Sequence, residues 1–184
     1  MEDTTLEIVK IGDDILRKKC KPVEKFDDAL RLLTSAMLDT LEEAEGVGLA
    51  APQVGVDGRF FVVDIRDGKQ YVFINPEILE TSEELGPYEE GCLSIPGVYH
   101  NVMRPVRVKV HAQDEYGRAF VLDADGLLAR VIQHENDHLD GKLFIDRLSE
   151  DERDKVLKLY SKRCGRKAGA ERKSDKLSSK KRKG

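Results

Sequence analysis

Cysteine is scarce in this sequence. Three occur, Cys20, Cys92 and Cys164, an odd number at wide spacing. That argues against a disulfide framework and for a reducing compartment. Long apolar runs are also missing: nothing approaches the roughly 18 consecutive apolar residues that span a bilayer, so no membrane association is expected. The opening residues, MEDTTLEIVK, hold acids and no apolar segment, unlike a secretory signal or an arginine-rich transit peptide. No internal repeat is visible.

What the chain does have is charge and a moderate apolar content, 36% and 40% of its 184 residues. That is the composition of a soluble globular domain. The net charge of −4 hides an asymmetry. Residues 1–161 carry 20 Lys and Arg against 33 Asp and Glu, whereas 162–184 carry 11 against 2. An acidic body therefore bears a basic end. Residues 165–184 have one large apolar residue, Leu177, too little to bury, and are expected as a disordered tail on a domain spanning 1–164.

The apolar pattern predicts three helices. Asp27 or Asp28 can cap one that runs to about Ala44, with Leu30, Leu33, Met37, Leu38 and Leu41 as its stripe and Gly46 as its stop. Asp125 can cap a second, apolar on most sides, ending at Leu139 and Gly141. Ser149 and Glu152 have capping-box spacing and open a third, to about Cys164. Between the first two, residues 59–65, 70–76, 106–112 and 119–124 read as strands, with turns at Asp67-Gly68 and near Tyr116-Gly117. GVGLAAPQVG and residues 77–104 are rich in Gly and Pro and read as irregular, the latter with short strands. Strands in a block with helices around them give an α+β fold, with mixed or antiparallel sheets packed around a central buried helix.

That helix contains QHENDHLDG (133–141). His134 and His138 stand four apart, one turn on one face, and can aim two imidazoles at one point. Glu135 can reach water at that point without ligating a metal itself. The plainer reading is two solvated histidines on a surface helix. The apolar flanks oppose it, because a buried unpartnered ring is costly. A catalytic site of this type needs a third ligand and an open position. No histidine follows His138. Of the downstream acids, Asp146 falls just past the helix, while Glu150 and Asp151 open the next one. His100 and His111 lack a ligand-like partner at short spacing and read as structural or exposed. Cys92 is a further candidate, since the Gly- and Pro-shaped EEGCLSIPG can present a thiolate. Cys20 and Cys164 read as inert or exposed.

Three stretches taken together, GVGLAAPQ (46–53), EGCLS (90–94) and QHENDHLDG (133–141), resemble the three motifs of peptide deformylase, in order and without gaps. The resemblance implies that Cys92, His134 and His138 hold one divalent ion. Fe2+ is the expected metal, with Zn2+ or Ni2+ able to take its place, since a soft sulfur ligand disfavours Mg2+ and Ca2+. It implies a substrate, the N-formyl-methionyl end of a nascent polypeptide, and release of formate by amide hydrolysis. Glu135 would be the general base. The Gln53 side-chain amide and the Leu93 N–H would stabilise the oxygen that becomes negative. Backbone near Val47 and Gly48, and at Gly91, would pair with the peptide. Val47, Leu127 and Val131, with Tyr88 at the rim, would receive the methionine side chain, while the deeper Leu128 and Ile132 pack the core. Arg104 reads as fixing a loop through an ion pair. The basic tail suits a ribosome contact through phosphates without sequence preference, or no more than solubility. A cytoplasmic location is expected.

Two rivals remain. A His-Glu-x-x-His metallopeptidase would need a downstream third ligand and be indifferent to Cys92. An inactive body carrying an RNA-binding tail would have no use for Glu135 and Gln53.

Overall fold

The computed structural model describes residues 5–181, with side chains described to Gly165. Helix α1 (Asp28–Glu43) begins where Asp27 Oδ1 accepts the Leu30 N–H at 3.1 Å. Its buried face carries Leu30, Met37 and Leu41. The left-handed residue after it is Glu45 (φ 54), not Gly46. Gly46 serves a different need, because a Cβ there would lie 2.8 Å from Leu41 Cδ1 and 2.9 Å from Leu93 Cδ1.

GVGLAAPQ is more regular than its glycines suggested. Gly48–Ala50 form strand β1, and Ala51–Val54 a single 3-10 turn with Pro52 near its start. Strands β2 (Phe60–Val63) and β3 (Tyr71–Thr81) make the expected hairpin, with Gly68 at φ 87 in the connection.

The segment read as irregular with short strands is largely two long strands. β4 (Leu85–Cys92) and β5 (Ile95–Pro105) pair antiparallel in a long ribbon. Pro87 and Pro96 misled the reading, but both are exposed on a two-stranded unit whose outer edges need no ladder partner. β6 (Arg107–Gln113) and β7 (Ala119–Asp125) follow, turning at Gly117 (φ 81).

The main sheet runs β1-β2-β3-β6-β7, antiparallel throughout, with the β4-β5 ribbon separate. All four residues of β2 are buried because both faces of the sheet are covered. Phe61 and Val63 pack with Val131 and Ile132, whereas Phe60 and Val62 pack with Leu30, Met37 and Leu41. Each such side chain contributes about 1.5–3 kcal/mol when fully buried.

Val131 and Ile132 belong to helix α2 (Gly126–Leu139), buried at every residue from Ala129 to Glu135. Asp125 occupies its N-cap position with extended backbone, but its side chain makes no capping bond there. Gly141 (φ 70) ends the helix, and a Cβ there would fall 2.5 Å from the Arg17 carbonyl oxygen.

Helix α3 (Glu150–Lys181) starts with the expected capping box: Ser149 N–H donates to Glu152 Oε2 at 3.0 Å and Glu152 N–H to Ser149 Oγ at 3.4 Å. It was expected to close near Cys164. Instead the backbone stays helical to Lys181. The added segment holds no proline to break it. Val156 seats α3 against Ile95, Val98 and Val102 of β5 and Phe144 and Ile145 before it. No helix among the described residues is long and apolar enough to cross a membrane.

Candidate metal centre

Cys92 ends β4, where the ribbon slips register between Gly91 (opposite Tyr99) and Cys92 (opposite Ile95). Such a slip re-aims a side chain, and here the sulfur meets α2. Cys92 Sγ lies 3.4 Å from His138 Nε2. One ligand atom each from Cys92, His134 and His138 lies within 4.8 Å of the other two, and no other such His, Cys, Asp or Glu group occurs among the described residues. His100 and His111 stand apart from it, as do the acids downstream of α2.

The two histidines are held differently. His134 Nδ1 hydrogen-bonds Glu90 Oε1 at 2.8 Å. That bond fixes the ring and leaves Nε2 available to a metal. Glu90 is itself clamped. Arg104 donates to it from Nε at 2.7 Å and Nη2 at 3.0 Å, and Arg130 Nη1 donates at 2.9 Å. Arg104 Nη1 also reaches Asp137 Oδ2 at 2.8 Å, and Arg147 Nη2 reaches Asp137 Oδ1 at 2.6 Å. Burial opposes the charge on Glu90, yet the bonds from His134 and Arg104 win and hold its carboxyl down at about 2. By contrast, His138 Nδ1 is buried with no hydrogen-bond partner.

Opposite effects act at the centre. Burial opposes ionisation of Cys92, but the adjacent imidazoles pull its thiol well below its usual value. Burial raises the Glu135 carboxyl, with the two imidazoles pulling the other way. Glu135 Oε2 has no partner. A thiolate, two imidazole nitrogens and a buried carboxylate with a spare oxygen form a donor set that fits a divalent transition metal and a water beside it.

Gln53 comes in from the 3-10 turn. Its Oε1 accepts the Ala50 N–H at 2.9 Å, and its Nε2 donates to Ser94 Oγ at 3.2 Å and lies 3.5 Å from Cys92 Sγ. The amide is thus oriented with its N–H2 toward the sulfur. A cavity of about 300 Å³ opens over this group. Val47, Leu127 and Val131 give it an apolar wall, with Gly48, Gly91 and Leu93 beside them. Tyr88 is also in the lining and half exposed. Gln53, Cys92, His134 and Glu135 line it too, so of the residues singled out from sequence only His138 lies behind the wall. Gly48 has to be glycine: a Cβ would lie 2.4 Å from Glu135 Oε1. Leu128 and Ile132 pack into the core instead.

Sequence reasoning missed Glu90, Ser94, Arg130, Asp137 and Arg147, and it gave Arg104 a loop to fix rather than two buried carboxylates. One signal was available. Glu90 is two residues before Cys92, at the start of the EGCLS stretch itself.

The family described as polypeptide deformylase matches residues 5–154. The peptide deformylase of Treponema pallidum (strain Nichols) is 51% identical over 156 residues, 85% of this chain and 96% of its own. A crystal structure of a peptide deformylase from Legionella pneumophila matches with TM-score 0.84 at 44% identity, covering 89% of this chain and 98% of that one. That of the Synechococcus elongatus enzyme in complex with actinonin gives 0.83 at 44% identity, covering 88% and 90%. With the three motifs gathered on one cavity and agreement along nearly the whole body, the chain belongs to the polypeptide deformylase family, the hydrolases that remove the N-formyl group from nascent peptides.

Proposed function

We propose that Cys92, His134 and His138 hold the catalytic ion, and that Glu135, Gln53 and the Leu93 N–H carry out deformylation with it. The observation behind this reading is the meeting of one sulfur and two ring nitrogens within 4.8 Å, beside a buried carboxylate with an unpartnered oxygen. When bound, a divalent ion there acidifies water and polarises the formyl oxygen. Glu135 accepts the proton of the attacking water as oxygen adds to the formyl carbon. It then gives that proton to the peptide nitrogen as the C–N bond breaks, releasing formate and a free amine. A carboxyl raised by burial suits both halves of that cycle. The Gln53 amide and the Leu93 N–H donate to the oxygen that becomes negative, and Gln53 is already oriented by Ala50 and Ser94. Val47, Leu127 and Val131, with Tyr88 at the rim, receive the methionine side chain. Backbone at Val47, Gly48 and Gly91 pairs with the peptide in strand fashion.

Fe2+ is the metal we assign, with Zn2+ or Ni2+ as competent substitutes; one thiolate and two imidazoles suit all three. Residues 1–164 form the catalytic domain, and the basic stretch 165–184 is a ribosome contact made through phosphates. The protein works in the cytoplasm on chains still being made. A metallopeptidase with a downstream ligand finds no support, since none of the acids after His138 joins the described group.

The test is to purify the protein anaerobically, measure its metal, and follow formate release from formyl-Met-Ala-Ser. Cys92→Ala is expected to lose the metal. Glu135→Ala is expected to keep the metal and lose turnover, and turnover retained in Glu135→Ala would remove the general base from this account.

A further inference from the structure

Helical spacing puts Glu152, Val156, Tyr160 and Arg163 on one face of α3. Val156 is buried against β5, Tyr160 packs on the same cluster, and Glu152 Oε1 stands 4.0 Å from His100 Nε2 of β5. The next position along that face, Arg163, therefore falls over the start of β5. There it meets Gly97, which adopts φ 79. A Cβ on Gly97 would lie 2.8 Å from Arg163 Nη1, 3.6 Å from Cδ and 3.8 Å from Cζ. The guanidinium is laid against a backbone that only glycine leaves open.

Gly97 matters because it lines the active-site cavity, along with Pro96, Val98 and Tyr99. Arg163 itself lies outside that lining, on the far side of the Gly97 wall. It is exposed and has no hydrogen bond or ion pair with any described residue. Of the charged residues in the cavity lining, Arg130 is taken up by Glu90, whereas the acids Glu45 and Glu89 are exposed. A peptide leaving the cavity thus passes two exposed acids and, beyond the Gly97 wall, Arg163, a cation without an ion pair among the described residues. Lys10, whose Nζ donates to the Leu93 carbonyl oxygen at 3.2 Å, is a second cation beside the lining.

We propose that Arg163 is a specificity residue of the deformylase reaction, which pairs with an acidic side chain a few positions after the formyl-methionine. This rests on the active site assigned above and adds to it a preference reaching beyond the methionine pocket. Because the ion pair forms at an exposed position, its effect is modest, about twofold to fivefold in kcat/KM, and it weakens with salt.

The experiment uses the full chain loaded with metal. Amidated peptides formyl-Met-Ala-Xaa-NH2 and formyl-Met-Ala-Ala-Xaa-NH2, with Xaa as Asp, Ala or Lys, remove the confounding terminal carboxylate. Rates for the charged peptides are expressed relative to the Ala peptide of the same variant. Wild type is expected to favour Asp over Lys at one of the two positions at low salt. Arg163→Lys should keep that order, Arg163→Ala flatten it and Arg163→Glu invert it. Equal Asp-to-Lys ratios in wild type and Arg163→Glu would overturn the proposal. Failure to release formate from the Ala peptides in wild type would instead strike at the underlying active-site reading, so the two failures are distinguishable.

Discussion

The two sides of α2 solve opposite problems. Behind the metal centre, the buried Glu90, Arg104, Arg130 and Asp137, with the exposed Arg147 at their edge, form a network in which each charge has an opposite partner. Glu135 Oε2, in the cavity wall, and His138 Nδ1, behind it, are buried and have none. Buried charge is tolerable when paired and expensive when not. The rear network therefore holds His134 in place through Glu90, and the unpaired groups are the ones the proposed chemistry would use. The contrast also separates the two histidines, one tied to a carboxylate and one without a partner at its outer nitrogen.

The sharpest break of this comparison is on the front. Glu135→Gln keeps the shape and removes the base, and is expected to cut kcat by about a hundred- to ten-thousandfold while metal content, measured by elemental analysis, stays at the wild-type level. The corresponding change at the rear is Arg104→Ala. It leaves Glu90 and Asp137 each short of a partner, so a loss of about 3–5 kcal/mol in folding stability is expected from urea denaturation. If Arg104→Ala instead unfolded at the wild-type midpoint, the network would not be the support described here. Gln53→Ala returns to the front. Removing one oriented donor is expected to lower kcat by about a hundred- to thousandfold, with far less effect on KM, in steady-state assays.

The three motifs carried most of the site because each is short and locally determined. A four-residue spacing on a helix brings His134 and His138 together whatever surrounds them, and a glycine-rich run announces a close approach. The rear network was illegible for the opposite reason. Glu90 and Arg104 meet only through pairing of β4 with β5, a ribbon hidden by Pro87, Pro96 and the glycines around them. Arg104 and Asp137 meet only once that ribbon lies on α2. Hydrophobic periodicity found α1, α2 and β2 for the same local reason. It did not find the end of α3, because the sequence past Cys164 has no apolar stripe to read, Leu177 being its one large apolar residue.

The smallest effect is on pH dependence, and its sign follows from Glu90. Its folded value of about 2 lies below its ordinary 4.5. A depressed carboxyl contributes stability that is complete above the ordinary value and is lost as pH falls through the folded one. At most about 3 kcal/mol should therefore disappear between about pH 4.5 and pH 2, as denaturation midpoints across that range would show. Glu90→Gln should flatten this part of the profile. A profile unchanged by that substitution would mean that the rear pairs do not hold Glu90 ionised.

The account depends most on the meeting of one sulfur and two imidazoles at a single ion, and X-ray absorption on the zinc-loaded protein tests it most directly. One sulfur at about 2.3 Å and two imidazole nitrogens at about 2.0–2.1 Å are the expected nearest neighbours from this chain. A spectrum with no sulfur at that distance, or one unchanged in Cys92→Ser, would contradict it.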